Sequence, residues 1–216
     1  EVNMRIKTPF FDIKIDIIFL IVMFIFFLYS KVRVFLSSFF ICYLFIIFHE
    51  AAHMFVATLC GKEIETFNIG VFGVNINFKI KHYNIENKYE FNKRNLVQNI
   101  LIFIIGPISN FILALIFKDI KIIYDINMFL CILNLVPIYP LDGYNILKNL
   151  LLFKVNYSKT LNIINIFNYI LLFILFLYSI VILIKIYNPS LILFLIYLII
   201  LKISYRKNNN IAKYYN

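Results

Sequence analysis

The chain has 216 residues, 62% of them hydrophobic, and a formal net charge of +10. A soluble domain of this length has too little interior to hide so much apolar surface, which excludes an ordinary water-soluble globular fold. The basic residues lie between long apolar runs and form no stripe. The charge therefore reads as a membrane orientation signal, and nucleic acid is not expected as a partner.

In chain order, six runs at about 13–30, 34–60, 96–117, 122–141, 161–184 and 187–205 are apolar and long enough to span a bilayer as helices. The expected fold is an all-α polytopic membrane protein of about six transmembrane helices, residues 1–206, followed by a polar tail, 207–216. The first run places Lys14 and Asp16 where they would have to snorkel. It lacks a small-residue cleavage site and leads into Lys31 and Arg33, so it reads as a span and not a removable signal; Met4 is a candidate start. The fourth run contains Pro137 and Pro140, and its last part cannot be regular helix. Lys185 to Pro189 makes a tight hairpin between the last two runs. Cys42, Cys60 and Cys131 form no CxxC pair and read as buried thiols.

Between the second and third runs the periodicity changes. Phe67, Ile69 and Val71 alternate with Asn68 and Gly70, and Val74, Ile76, Phe78 and Ile80 alternate with Asn75, Asn77, Lys79 and Lys81. Period-two alternation on both sides of Phe72-Gly73 predicts a small membrane-associated β-hairpin. Sixteen Lys and Arg residues fall on one side of the six-span plan and five on the other, which predicts that both termini are cytoplasmic.

His49-Glu50-Ala51-Ala52-His53 is an HExxH motif. On a helix, residues four apart share a face, so both imidazoles can address one ion. Glu50 flanks that face. A bound metal brings the pKa of water to about 7, and a carboxylate beside it can take the proton and pass it to a leaving amine. Apart from His49, Glu50 and His53, the interiors of spans one to three, five and six read as free of charged and histidine side chains. Ionisable groups at membrane depth are costly and usually functional.

A catalytic zinc takes three protein ligands and keeps one position open. Asp142 is the best third ligand, at the end of Asn134-Leu135-Val136-Pro137-Ile138-Tyr139-Pro140-Leu141-Asp142-Gly143, where prolines forbid helix and irregular backbone can line a wet cavity. Asp142 as a helix N-cap and His82 as a rival ligand both stay open. Cys42 lies seven residues before His49, roughly 10 Å along the helix, too far to ligate. The Asn134 amide can stabilise an oxyanion near the metal or bridge two helices. Asn110 reads as a helix–helix bridge, and Gly106-Pro107 with Ser109 as a kinked, closely packed span. A peptidase needs an extended substrate, and the strand bearing Asn75 and Asn77 is a candidate to hold one by its backbone.

HEAAH in an early span, GPISN in the third and NLVPIYPLDG after the fourth resemble the site-2 protease family of intramembrane metalloproteases, over nearly the whole chain, and most of all its sporulation branch. The resemblance implies that His49, His53 and Asp142 bind one Zn2+ per chain, that Glu50 is the catalytic base, and that Asn134 and Pro140 shape the site. It implies a membrane-associated protein substrate, a pro-sigma factor in the sporulation branch, inhibitory membrane-protein partners, and residence in the membrane around the forespore. The chain departs from the family in spreading its usual Asn-Pro over Asn134, Pro137 and Pro140. No nucleotide-sensing domain is expected after the last span from these residues, and the 61–95 connection is too short for a PDZ domain. A housekeeping site-2 protease with another membrane substrate is the nearest alternative. A six-span metal transporter or scaffold comes from a different class, but transport calls for ligands on several spans and has no use for a base.

Overall fold

The computed structural model describes residues 3–8, 11–28, 33–70, 73–78 and 93–214. The chain divides into two compact units, residues 1–133 and 134–216.

The first unit opens with strands β1 (Asn3–Lys7) and β2 (Asp12–Asp16), then helices α1 (Ile17–Leu28) and α2 (Arg33–Leu59). Strands β3 (Ile64–Gly70) and β4 (Gly73–Phe78) follow, then α3 (Lys93–Ile116) and α4 (Lys121–Leu135), whose last two residues fall in the second unit. The strands form one sheet in the order β1-β2-β3-β4, antiparallel except for the parallel β2–β3 pair. The hairpin expected from the alternation is β3–β4, in register from Ile69↔Val74 through Asn68↔Asn75 to Thr66↔Asn77.

The sheet corrects the all-α expectation. Ile13 and Ile15 alternate with Asp12, Lys14 and Asp16, and these residues form β2 where a first span was expected to begin. Charges that would have to snorkel on a helix lie along a strand, where successive side chains point to opposite faces. Arg5 on β1 pairs with Asp12 on β2.

The apolar face of the sheet packs on α2. Tyr43, Phe67 and Val74 form a core joined by Ile13, Ile69 and Ile76 from the sheet and by Phe39, Ile46, Ile47 and Met54 from the helix. The Tyr43 hydroxyl donates to the Gly70 carbonyl at 2.8 Å, fixing the hairpin end to the helix. The link between α2 and the sheet is short because α2 ends in a Schellman turn. Gly61, at φ +73°, donates to the Thr58 carbonyl, and Lys62 donates to that of Ala57, both at 2.9 Å.

The second unit carries α5 (Asp142–Leu152), α6 (Tyr157–Ile186) and α7 (Ser190–Tyr214). Ile138, Leu172 and Leu198 make its core, with Val136, Leu141, Leu171, Leu175 and Phe194 around them. The segment carrying Pro137 and Pro140 is irregular, as expected, and the Tyr139–Pro140 peptide is cis.

Among the described residues, three helical segments are long and apolar enough to cross a membrane: Phe39–Leu59, Lys93–Ile116 and Tyr157–Ile186. The apolar part of α7, Ser190–Ile203, is shorter. Helix α4 has 15 residues because its irregular end starts after Leu135, and α1 has 12 because β2 takes the residues before it. The six full-length spans expected from the sequence are thus not all present as long apolar helices.

Candidate metal centre

Helix α3 packs along α2, and the motif histidines face it. His49 and His53 are 4% and 5% exposed. Each ring is held through Nδ1. The His53 Nδ1 lies 2.5 Å from the Ile102 carbonyl oxygen, and because a carbonyl only accepts, Nδ1 carries the proton. The His49 Nδ1 lies 3.1 Å from Asn110 Oδ1, which fixes the same tautomer. That Asn110 oxygen is also 3.4 Å from the Ser109 hydroxyl, which itself donates to the Gly106 carbonyl at 2.7 Å.

With both Nδ1 protons committed, both Nε2 atoms present lone pairs, and they face each other at 3.1 Å. Two lone pairs at that distance repel, and either a proton shared between the nitrogens or a metal ion bound by both removes the repulsion. Two nitrogens about 2 Å from a tetrahedral zinc sit roughly 3.3 Å apart, so the observed spacing suits that ion. The donor chemistry fits as well: neutral imidazoles oriented through their other ring nitrogen are the usual outer-shell arrangement of a metal-binding histidine.

Gly106 makes this approach possible. A Cβ placed there would lie 2.5 Å from His53 Cε1 and Nε2 and 2.6 Å from His49 Nε2. The third helix therefore presents bare backbone to the two imidazoles. The expected close packing at Gly106-Pro107 is present, and its purpose is to admit the rings. Asn110 was expected to be a bridge between helices. It is one, and its partner is the first motif histidine. The Ile102 carbonyl has no sequence signal, being backbone.

Glu50 is half-buried, adjacent to His49 on α2. Asn134 lies on the last turn of α4, and Pro140 is exposed. The main chain of Asn75 and Asn77 lies on the end strand β4, and the Asn77 amide donates to the Thr66 hydroxyl at 3.0 Å. His82 lies outside the described residues.

Asp142 is the first residue of α5, and the N-cap position falls to Leu141, with no side-chain capping bond there. A carboxylate in a first helical turn is favoured by the helix dipole. Gly143 allows this placement, because a Cβ there would meet the Leu135 carbonyl oxygen at 2.2 Å and that of Val136 at 2.6 Å. The head of α5 is thus pressed against the end of α4, and the proline segment is a closed loop. His49 and His53 in the first unit and Asp142 in the second are side chains of the types that ligate a metal ion.

Residues 37–121, which contain both motif histidines, Gly106 and Asn110, match the model of peptidase family M50. The solved structure of the site-2 protease from Methanocaldococcus jannaschii is similar to this chain, with a TM-score of 0.62 and 22% identity over 91% of this chain and 92% of that one. At this identity the likeness is one of fold. None of the curated proteins matches the chain. The chain is thus an integral membrane protein with the fold of a site-2 protease. Its M50-matching segment carries the HExxH helix and the helix that orients it.

Proposed function

We propose that this chain is a zinc-dependent intramembrane endopeptidase, with one Zn2+ held by His49, His53 and Asp142 and with Glu50 as its general base. The observation that carries the reading is the pair of Nε2 atoms facing each other at 3.1 Å while both Nδ1 atoms are occupied. The match to peptidase family M50 and the Glu50 between the histidines support proteolysis over metal storage or transport.

Zinc bound there would supply Lewis acidity and lower the pKa of water toward neutrality. Glu50, next to His49 on α2, would accept a proton from the attacking water and pass it to the departing amine, so that the peptide bond would be hydrolysed with no net proton change. The hydrogen bonds from His49 to Asn110 and from His53 to Ile102 keep both rings in the tautomer that presents the Nε2 lone pair. Asn134 and Pro140 shape the neighbourhood of Asp142, and the Asn134 amide can donate to the oxyanion. The substrate is a membrane-associated protein. The motif wording favours a pro-sigma factor trimmed at its N-terminal end, in the membrane around the forespore and under the control of inhibitory membrane proteins.

The test uses the purified full chain and a membrane-tethered reporter substrate. Wild type should contain about one zinc per chain, and His49→Ala and His53→Ala should lose it. Glu50→Gln should keep zinc and lose cleavage, because it removes a base and no ligand. Cleavage by Glu50→Gln near the wild-type rate removes Glu50 from the mechanism. Co-expression with candidate pro-sigma factors tests the substrate: cleavage of other membrane proteins but of no pro-sigma factor leaves a protease of another role.

A further inference from the structure

Helix α7 carries a buried lysine in an otherwise apolar stretch. Lys202 is 6% exposed, although it follows Ser190–Ile200, a run with no charged residue. The sequence places it near the end of the last span, where a lysine would be expected to snorkel to the surface. Instead its Nζ donates to Asn165 Oδ1 on α6 at 2.8 Å. It also lies 5.6 Å from the ring centroid of Tyr139 and 4.8 Å from that of Tyr144. Both distances fall within the roughly 6 Å reach of a cation–π interaction, which strengthens when the cation is desolvated.

The two rings meet edge to face, with centroids 5.5 Å apart and planes at 84°. Tyr144 is 2% exposed. In the chain they flank Asp142: Tyr139 is in the proline loop three residues before it, and Tyr144 is in the first turn of α5 two residues after it. One ammonium group thus ties both approaches to Asp142 to α6 and α7.

We propose that Lys202 is a positioning residue for Asp142, its buried cation clamping the Tyr139 and Tyr144 rings and so fixing the head of α5. An apolar side chain could fill the same volume, but it would leave two aromatic faces and the Asn165 amide oxygen without their charged partner. Burying an ammonium is costly, and a cost that packing alone would avoid points to a function for the charge. The inference rests on Asp142 being a zinc ligand.

The experiment measures zinc release from the purified full chain to an excess of chelator, alongside thermal unfolding of the zinc-stripped protein. Asp142→Ala tests the underlying reading by itself: zinc retained at the wild-type rate removes Asp142 from the ligand set, and the clamp falls with it. With Asp142 established, Lys202→Met should release zinc about 10-fold faster or more, in the range seen when outer-shell partners are removed. Lys202→Arg should stay close to wild type. Tyr139→Phe keeps the ring face and should release zinc like wild type, and Tyr139→Leu should resemble Lys202→Met. The Tyr139→Leu, Lys202→Met double variant should be less than additive, because both single changes break the Lys202–Tyr139 contact. The unfolding temperature of the zinc-stripped Lys202→Met protein should match wild type. Wild-type zinc release by both Lys202→Met and Tyr139→Leu overturns the proposal. So does a Lys202→Arg protein as leaky as Lys202→Met, or a fall in zinc-free unfolding temperature that accounts for the leak. If Lys202→Met does not accumulate, the Tyr139 pair of variants decides the matter.

Discussion

Gly106 stands against His53 with no room for a side chain: a Cβ at 106 would lie 2.5 Å from the Nε2 of the imidazole. Gly106→Ala separates site geometry from helix stability. In a helix interior the change gains roughly 0.5–1 kcal/mol of propensity, while overpacking costs about 1–3 kcal/mol. The two nearly offset, so the unfolding temperature should move by only a few degrees. The imidazoles, however, must swing away from α3, and zinc affinity should fall by about 10-fold or more. Metal analysis after dialysis against a weak chelator checks this. Wild-type zinc retention would show that the rings can relax without losing their convergence.

Asn110 bears on the proposed zinc site through the hydrogen bond to His49. Removing its Oδ1 in Asn110→Ala frees the His49 Nδ1 and lets the ring take the other tautomer, in which Nε2 is protonated and cannot ligate. Zinc affinity should fall by about 10- to 100-fold. Asn110→Asp retains the acceptor and should bind zinc at least as well as wild type. Equal loss in both variants would mean that Asn110 matters for packing rather than for the tautomer.

Some of this centre was legible in the sequence and some was not, for physical reasons. His49, Glu50 and His53 announce themselves because helical spacing alone brings them to one face. The β3–β4 hairpin was legible from strict period-two alternation. Strand β2 carries the same alternation, but it adjoins an apolar run, and reading Ile13 and Ile15 with that run turned a strand into the start of a span. Asn110 could be recognised as a bridge, but its partner depends on how α3 packs on α2, which no local pattern encodes. Lys202 was hidden for a related reason: near the end of an apolar run a lysine normally reaches water, and only the tertiary arrangement shows it turned toward Tyr139 and Tyr144.

Gly143 closes the proline loop. A methyl group there would sit 2.2 Å from the Leu135 carbonyl oxygen, and that oxygen is main chain and cannot rotate away. Gly143→Ala should therefore cost at least the roughly 1–3 kcal/mol typical of overpacking. It should also displace Asp142, so that zinc content falls together with the unfolding temperature. That joint loss distinguishes it from Gly106→Ala. A Gly143→Ala protein with wild-type stability and zinc would refute the tight closure.

The sixteen-to-five division of Lys and Arg predicts cytoplasmic termini. Reporter fusions at Lys31 and Lys121 should read as outside, and a fusion at the C-terminus as inside. A cytoplasmic signal at both Lys31 and Lys121 would invert the orientation.

The orientation and the sheet together predict how a substrate is held. With a cytoplasmic N-terminus, α2 runs inward, and His49 lies ten residues before its end at Leu59, roughly 15 Å at 1.5 Å per residue. The sheet follows directly after that end and packs back along α2, so β4 runs beside the helix that carries the motif. Val74 and Ile76 face the shared core. The strand lies at one end of the sheet order, bonded to β3 on one side. An unwound substrate segment arriving from the cytoplasm can add to its other side through main-chain hydrogen bonds, which present a scissile carbonyl that a helix would hide. Cleavage should then depend on the backbone of β4. Proline at Asn75 or Asn77 should lower cleavage while zinc stays bound, and Asn77→Ala, which alters only a side chain, should cleave nearly as well as wild type. A cysteine at either position should cross-link to a cysteine placed near the scissile bond of a Glu50→Gln-trapped substrate. Undiminished cleavage with proline at both positions, together with no cross-link from either, would mean that the substrate is held elsewhere.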